Sequence, residues 1–160
     1  MSIIGNGTGS RQPACCRVGR ISTRGYAMRS LELAGYGFGT WWPFNERNES
    51  VLLTNLPSRP GVYAIRCCKD YSRRIGSSDI LYFGSATNQQ GLKHRLRQYF
   101  HPGPSQRTNI RILALVGDCS DYEVSIVQTD SIPDATMLEA TLLEKYESEH
   151  GELPPENKRH

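Results

Sequence analysis

The strongest constraint on the fold lies near the end of the chain, where residues 133–150 (PDATMLEATLLEKYESEH) repeat apolar side chains at helical spacing over about five turns. Ser131 or Thr129 stands near its start and Gly151 just past its end, in the places where a helix takes its caps. A helix of that length with one apolar face needs an apolar surface to cover. Three segments supply strands for it. Residues 61–68 (GVYAIRCC) are rich in β-branched and aromatic residues and follow a turn signal at residues 57–61. Residues 80–84 (ILYFG) form a short apolar run ended by glycine, and residues 122–127 (YEVSIV) alternate as a half-buried strand does. Residues 69–78 are polar and contain Gly76, which predicts a loop joining the first two strands as an antiparallel hairpin.

Two further helices fall between the strands. Leu92, Leu96, Tyr99 and Phe100 share one face at about 100° per residue, and HPGP at residues 101–104 stops that helix. Residues 106–115 form the next, with Ile110, Leu113 and Leu115 apolar. The order is β-β-α-α-β-α, which predicts an α+β fold with a small three-stranded, antiparallel-type sheet flanked by helices. Residues 1–50 show no clean period. They are expected to form a basic, partly flexible arm with an aromatic segment (GYGFGTWWPF, residues 35–44) that packs on a domain of residues 51–160. The paired tryptophans suit a core role better than a base-stacking platform.

A chain of 160 residues with 38% hydrophobic and 22% charged residues is globular rather than disordered. Its apolar runs fall short of the roughly 20 residues a membrane helix requires, and residues 1–10 lack the apolar core of a signal peptide. A cytoplasmic location without membrane contact is expected. The five cysteines, Cys15, Cys16, Cys67, Cys68 and Cys119, show no CxxC spacing for zinc and are expected to be reduced thiols without a role.

The formal charge of +3 is unevenly divided. Residues 61–120 hold nine basic groups against three acidic ones, whereas residues 121–160 hold ten acidic groups against three basic ones. A basic middle suits a polyanionic partner, because each phosphate contact by Lys or Arg releases counterions.

One acid is out of place. Counted around the wheel from Ala135, Leu142 and Tyr146 fall about 20° to either side and Glu139 lands at about 40°, between Tyr146 and Leu143. Glu139 therefore points inward, where a carboxylate costs several kcal/mol unless it is paired or binds a cation. From the residues alone, two readings stand: an ion pair with Arg95, at the border of its own helix's apolar face, or a metal ligand.

Two triplets bear on that choice: GVY at residues 61–63 and YFG at residues 82–84, each on a predicted strand. Together with LKHRLRQYF at residues 92–100, LEATLLEKY at residues 138–146 and the late Asn157, they resemble the GIY-YIG nuclease family over about three-fifths of the chain. The resemblance implies the same element order. It makes Tyr63 and Tyr82 the tyrosines of the two triplets, Arg95 the catalytic arginine, Glu139 the metal-binding glutamate and Asn157 the asparagine that closes the domain. It further implies Mg²⁺ or Mn²⁺ on Glu139, Arg95 on the scissile phosphate, and Tyr63 and Tyr82 positioning or activating water.

The chain departs from the family at Ser85, where some members carry lysine, and at Tyr99, where some carry histidine. Lys93, His94, Arg97, His101 and Arg107 are the expected nucleic-acid contacts. The function expected is a metal-dependent endonuclease acting on DNA, a homodimer being possible, with a restriction-like or mobile-element role preferred to that of a repair incision subunit. The alternatives are a non-catalytic nucleic-acid-binding module of the same fold, and a structural protein-interaction domain with a Glu139–Arg95 ion pair.

Overall fold

The computed structural model describes residues 28–117 and 120–158. The basic arm up to residue 27, with Cys15 and Cys16, lies outside the described residues, as does Cys119. Cys67 is buried and Cys68 exposed, both as free thiols.

The sheet is antiparallel throughout, and it has four strands where three are expected. The strands are β1 (Trp42–Pro43), β2 (Gly61–Ser72), β3 (Ser77–Ala86) and β4 (Tyr122–Gln128), in the spatial order β1-β4-β2-β3. The extra strand is two residues of the aromatic segment, Trp42 opposite Val124 and Pro43 opposite Glu123. Proline is tolerated there because β1 is an edge. From Gly61 onward the order β-β-α-α-β-α is as expected: α2 (Gly91–Phe100) and α3 (Arg107–Val116) precede β4, and α4 (Ile132–His150) follows it.

The α4 helix opens on Ser131, whose side chain accepts from the Asp134 amide, and closes on Gly151 at φ 71°. A seven-residue helix, α1 (Glu49–Asn55), and 3-10 turns at Ser30–Tyr36 and Glu46–Asn48 carry no period long enough to read in advance. Among the described residues no helix is long and apolar enough to cross a membrane.

The hairpin corrects a second expectation. Residues 69–78 are not one loop: β2 runs on to Ser72 and β3 begins at Ser77, with Tyr71 opposite Ser78. Backbone pairing carries the strands beyond the apolar core, so their polar outer ends look like loop in sequence.

Strand alternation sorts the core into two layers. Tyr63 and Ile65 of β2 face α1, α2 and α3, packing with Leu52, Leu92, Leu96, Tyr99 and Ile112. Val62 and Ala64 face the other way, with Ala135, Leu142 and Tyr146 of α4 and with Met28, Leu33 and Phe38 of the N-terminal segment. That segment is clasped by the fully buried His150 at the end of α4, whose imidazole reaches the carbonyl oxygens of Ile75 at 2.9 Å and Met28 at 3.0 Å.

Candidate active site

The two triplets meet across the β2–β3 pair, where Tyr63 lies directly opposite Gly84. A Cβ on Gly84 would stand 2.4 Å from the Tyr63 hydroxyl oxygen and 2.7 Å from Tyr82 Cε1. A Cβ on Gly61 would stand 2.2 Å from the Val127 carbonyl oxygen and 2.6 Å from Leu92 Cδ1. Both glycines are thus needed for close approach, since real Cβ atoms do not come that near another heavy atom.

With Gly84 bare, the rings of Tyr63, Tyr82 and Tyr99 gather, with centroids 5.9 to 6.4 Å apart. The hydroxyls of Tyr63 and Tyr99 share a hydrogen bond of 2.7 Å, and both residues are fully buried. Burial first, then the neighbouring Tyr82, pushes the Tyr63 phenol well above its ordinary value. Buried and bonded to the Tyr99 hydroxyl, Tyr63 is placed to hold Tyr82 and Tyr99 in position.

Tyr82 owes its aim to a bulge. Ile65 pairs with Tyr82 but Arg66 pairs with Ile80, so Leu81 is an extra residue in β3. Leu81 and Tyr82 consequently both pack on the layer of α2 and α3, while Ile80 and Phe83 serve the α4 layer. Tyr82 then lines a cleft of about 450 Å³ at the outer edge of β3. Arg107, Thr108 and Arg111 of α3 form one wall, Glu139 and Leu143 of α4 the other, and Glu156, Asn157 and Lys158 of the C-terminal tail complete it.

Glu139 is half-buried, as its place on the wheel requires. Its carboxylate accepts a hydrogen bond from the Ser85 hydroxyl. Burial raises its pKa above the ordinary carboxyl value, opposed by the Ser85 hydrogen bond and the charge of Arg95.

The Glu139–Arg95 ion pair of the alternative reading is not among those formed by the described residues. The two come from helices on opposite faces of the sheet, with β3 between them, and Ser85 on β3 is the nearer partner. Arg95 instead donates to Gln98 at 3.1 Å and lies 5.0 Å from the centre of the Tyr99 ring. It lines a second cleft that shares Arg107 and Thr108 with the first.

Of the five expected site residues, Tyr82, Glu139 and Asn157 thus line one cleft. Tyr63 stands buried behind Tyr82, and Arg95 opens onto the adjoining cleft. Asn157 has its amide engaged: its Oδ1 accepts from the Phe83 amide at 2.9 Å and its Nδ2 donates to the Phe83 carbonyl at 2.8 Å.

Among the expected nucleic-acid contacts, Lys93, Arg97 and Arg107 are exposed. His94 touches Gln98, and His101 pairs with Glu49 at 2.7 Å, so neither imidazole is free. Ser85, Tyr99 and Arg111 were not among the expected site residues. The first two stand where the chain departs from the family pattern, and Arg111 has no signal in the sequence beyond its charge.

The described residues contain no group of three or more His, Cys, Asp or Glu that could hold a metal ion. Glu139 at an open cleft, with Glu156 already held by Arg111, fits a hydrated Mg²⁺ or Mn²⁺, which keeps several waters and takes few protein ligands, better than a zinc or calcium cage.

No protein-family model matches the chain. Over 108 residues it is 34% identical to UvrABC system protein C of Clostridium botulinum, and 32% identical to UvrABC system protein C of Clostridium acetobutylicum. Each match takes in 68% of this chain, which spans about 15% of the length of these relatives. By sequence, the chain is homologous to a segment of UvrABC system protein C.

Proposed function

We propose that the cleft at the edge of β3 hydrolyses phosphodiester bonds of nucleic acid, DNA in the first place, as a metal-dependent endonuclease of the GIY-YIG type. The observation that carries this reading is Glu139, a carboxylate oriented by Ser85 in a cleft also lined by Arg107, Lys158, Tyr82 and the Arg111–Glu156 ion pair. The cationic side chains of the cleft attract the phosphate backbone, and Glu139, standing apart from the Arg111–Glu156 pair, leaves room for a cation shared with a phosphate oxygen. The homology to UvrABC system protein C supports the same reading.

Glu139 would hold the Mg²⁺ or Mn²⁺, which when bound supplies positive charge to the phosphoryl oxygens and makes water a better nucleophile. Tyr82 would hydrogen-bond a phosphate oxygen or the attacking water from the cleft floor, with Tyr63 and Tyr99 fixing its ring from behind. Arg95 would neutralise a phosphate in the adjoining cleft, the two clefts being bridged by Arg107 and Thr108.

The test is incubation with supercoiled plasmid, single-stranded DNA and RNA, with and without Mg²⁺, for the parent protein and for Glu139→Gln and Arg95→Ala. Cleavage that needs the metal and is lost in both variants is the expected result. Full activity in Glu139→Gln would sink the proposal, and binding without cutting across metals and substrates would favour a non-catalytic module.

A further inference from the structure

We propose that Arg111 is a positioning residue for Tyr82, acting through the C-terminal tail, which straps the open edge of β3. The kinetic consequence rests on the endonuclease reading; the structural one does not.

Among the described residues the outer edge of β3 has no neighbouring strand, and the backbone groups it turns outward need partners. The tail provides them at one place. The Glu156 amide donates to the Leu81 carbonyl at 3.1 Å, the Phe83 amide donates to Asn157 Oδ1, and Asn157 Nδ2 donates to the Phe83 carbonyl. These three hydrogen bonds bracket Tyr82, and one of them falls on the bulged residue that aims it. A bulge locally interrupts the ladder, so the inner partner β2 alone holds this stretch weakly, and the tail supplies the missing restraint.

The tail in turn needs an anchor, because a few partly exposed hydrogen bonds barely offset the entropy of ordering a chain end. Arg111 of α3 is placed as that anchor. Its Nε donates to the Glu156 carboxylate and its Nη2 to the Glu156 carbonyl at 2.9 Å. One planar guanidinium therefore grips side chain and backbone of the same residue, a two-point hold that a lysine ammonium does not reproduce. The Glu156 side chain is only 14% exposed, so the pair is sheltered from solvent screening. The chain of contacts runs from α3 through Glu156 and Asn157 to Leu81 and Phe83, and so to the ring between them.

The experiment compares Arg111→Met, Arg111→Lys, Asn157→Ala and the double variant Arg111→Met/Asn157→Ala. It reads backbone amide exchange at Phe83 and the Tyr82 ring resonances by NMR, and kcat and KM for Mg²⁺-dependent DNA cleavage. In Arg111→Met the Phe83 amide is expected to exchange about tenfold faster or more, with a shifted Tyr82 ring and unchanged exchange in the β2–β4 ladder. The kcat should fall about tenfold to a hundredfold at little-changed KM, Arg111→Lys recovering part of it. Within Asn157→Ala, adding Arg111→Met should change kcat by no more than about twofold.

Parent-like Phe83 exchange and Tyr82 shifts in Arg111→Met would overturn the proposal. So would a rise in KM at full kcat, which would make Arg111 a phosphate contact, or fully additive effects of the two substitutions. If the parent protein cuts no nucleic acid, the endonuclease reading fails alone, and the exchange and ring-shift arms still decide whether Arg111 positions Tyr82.

Discussion

Replacing Gly84 by alanine inserts a methyl group into the space taken by the Tyr63 ring. The new Cβ would stand 2.4 Å from the Tyr63 hydroxyl oxygen, 2.5 Å from its Cζ and 2.7 Å from Tyr82 Cε1, each about 1 Å inside a comfortable contact of roughly 3.5 to 4.0 Å. Tyr63 has no free direction of retreat: it is fully buried, edge-on to Tyr99, and bonded to the Tyr99 hydroxyl. Relief therefore requires moving the ring and breaking that hydrogen bond. Overpacking of this kind costs about 1–3 kcal/mol, and a buried hydroxyl left without its partner about 1–3 kcal/mol more. The variant should lose roughly 2–6 kcal/mol, a fall in Tm of about 4–24 °C for a chain of this size. Thermal unfolding followed by circular dichroism measures it. In a Tyr63→Ala background only the contact with Tyr82 Cε1 remains, beside the cavity left by the Tyr63 ring, and the same methyl should cost clearly less than in the parent. A Tm for Gly84→Ala within about 2 °C of the parent, or the same loss in both backgrounds, would refute the packing of Tyr63 over Gly84.

Tyr99→Phe leaves the Tyr63 hydroxyl buried without its partner and should cost about 1–3 kcal/mol in urea unfolding, part of which returns when Tyr63→Phe is added. Glu139→Gln should stabilise the protein at neutral pH. Burial raises the folded-state pKa of Glu139 above the ordinary carboxyl value, so the folded protein binds the proton more tightly and the carboxylate's cost appears as pH rises through that window. The advantage of the glutamine should vanish below it, and an equal or lower Tm at pH 7 counts against a strained carboxylate. Arg107→Ala should weaken DNA binding uniformly across sequences and reduce the slope of log affinity against log salt by about 1. An unchanged slope removes Arg107 from the path of the phosphate backbone.

The element order was legible from Gly61 onward because helical and strand periods are local. The wheel that placed Glu139 inward also places it, half-buried, on the flank of α4. Residues 42–43 were not legible as a strand, since two residues are a strand only by virtue of pairing with Val124 and Glu123. The outer hairpin was hidden for the opposite reason: its polar composition reads as loop while backbone pairing holds it extended. In the site, the triplet glycines were visible as a pattern but not as a cause. Their cause is the close approach of Tyr63, Leu92 and Val127.

Sequence by itself determined that an acid lies on the apolar face of the last helix, that two tyrosine triplets sit on neighbouring strands, and that the middle of the chain is basic. These are properties of composition and period along a few turns or a few strand residues. Only the tertiary structure decided that Glu139 meets Ser85 and not Arg95, that a bulge at Leu81 turns Tyr82 to the cleft, and that the tail from Glu156 closes the edge of β3. Those outcomes depend on which face of the sheet each helix covers and on how backbone groups distant in sequence find partners, and neither is encoded in local spacing.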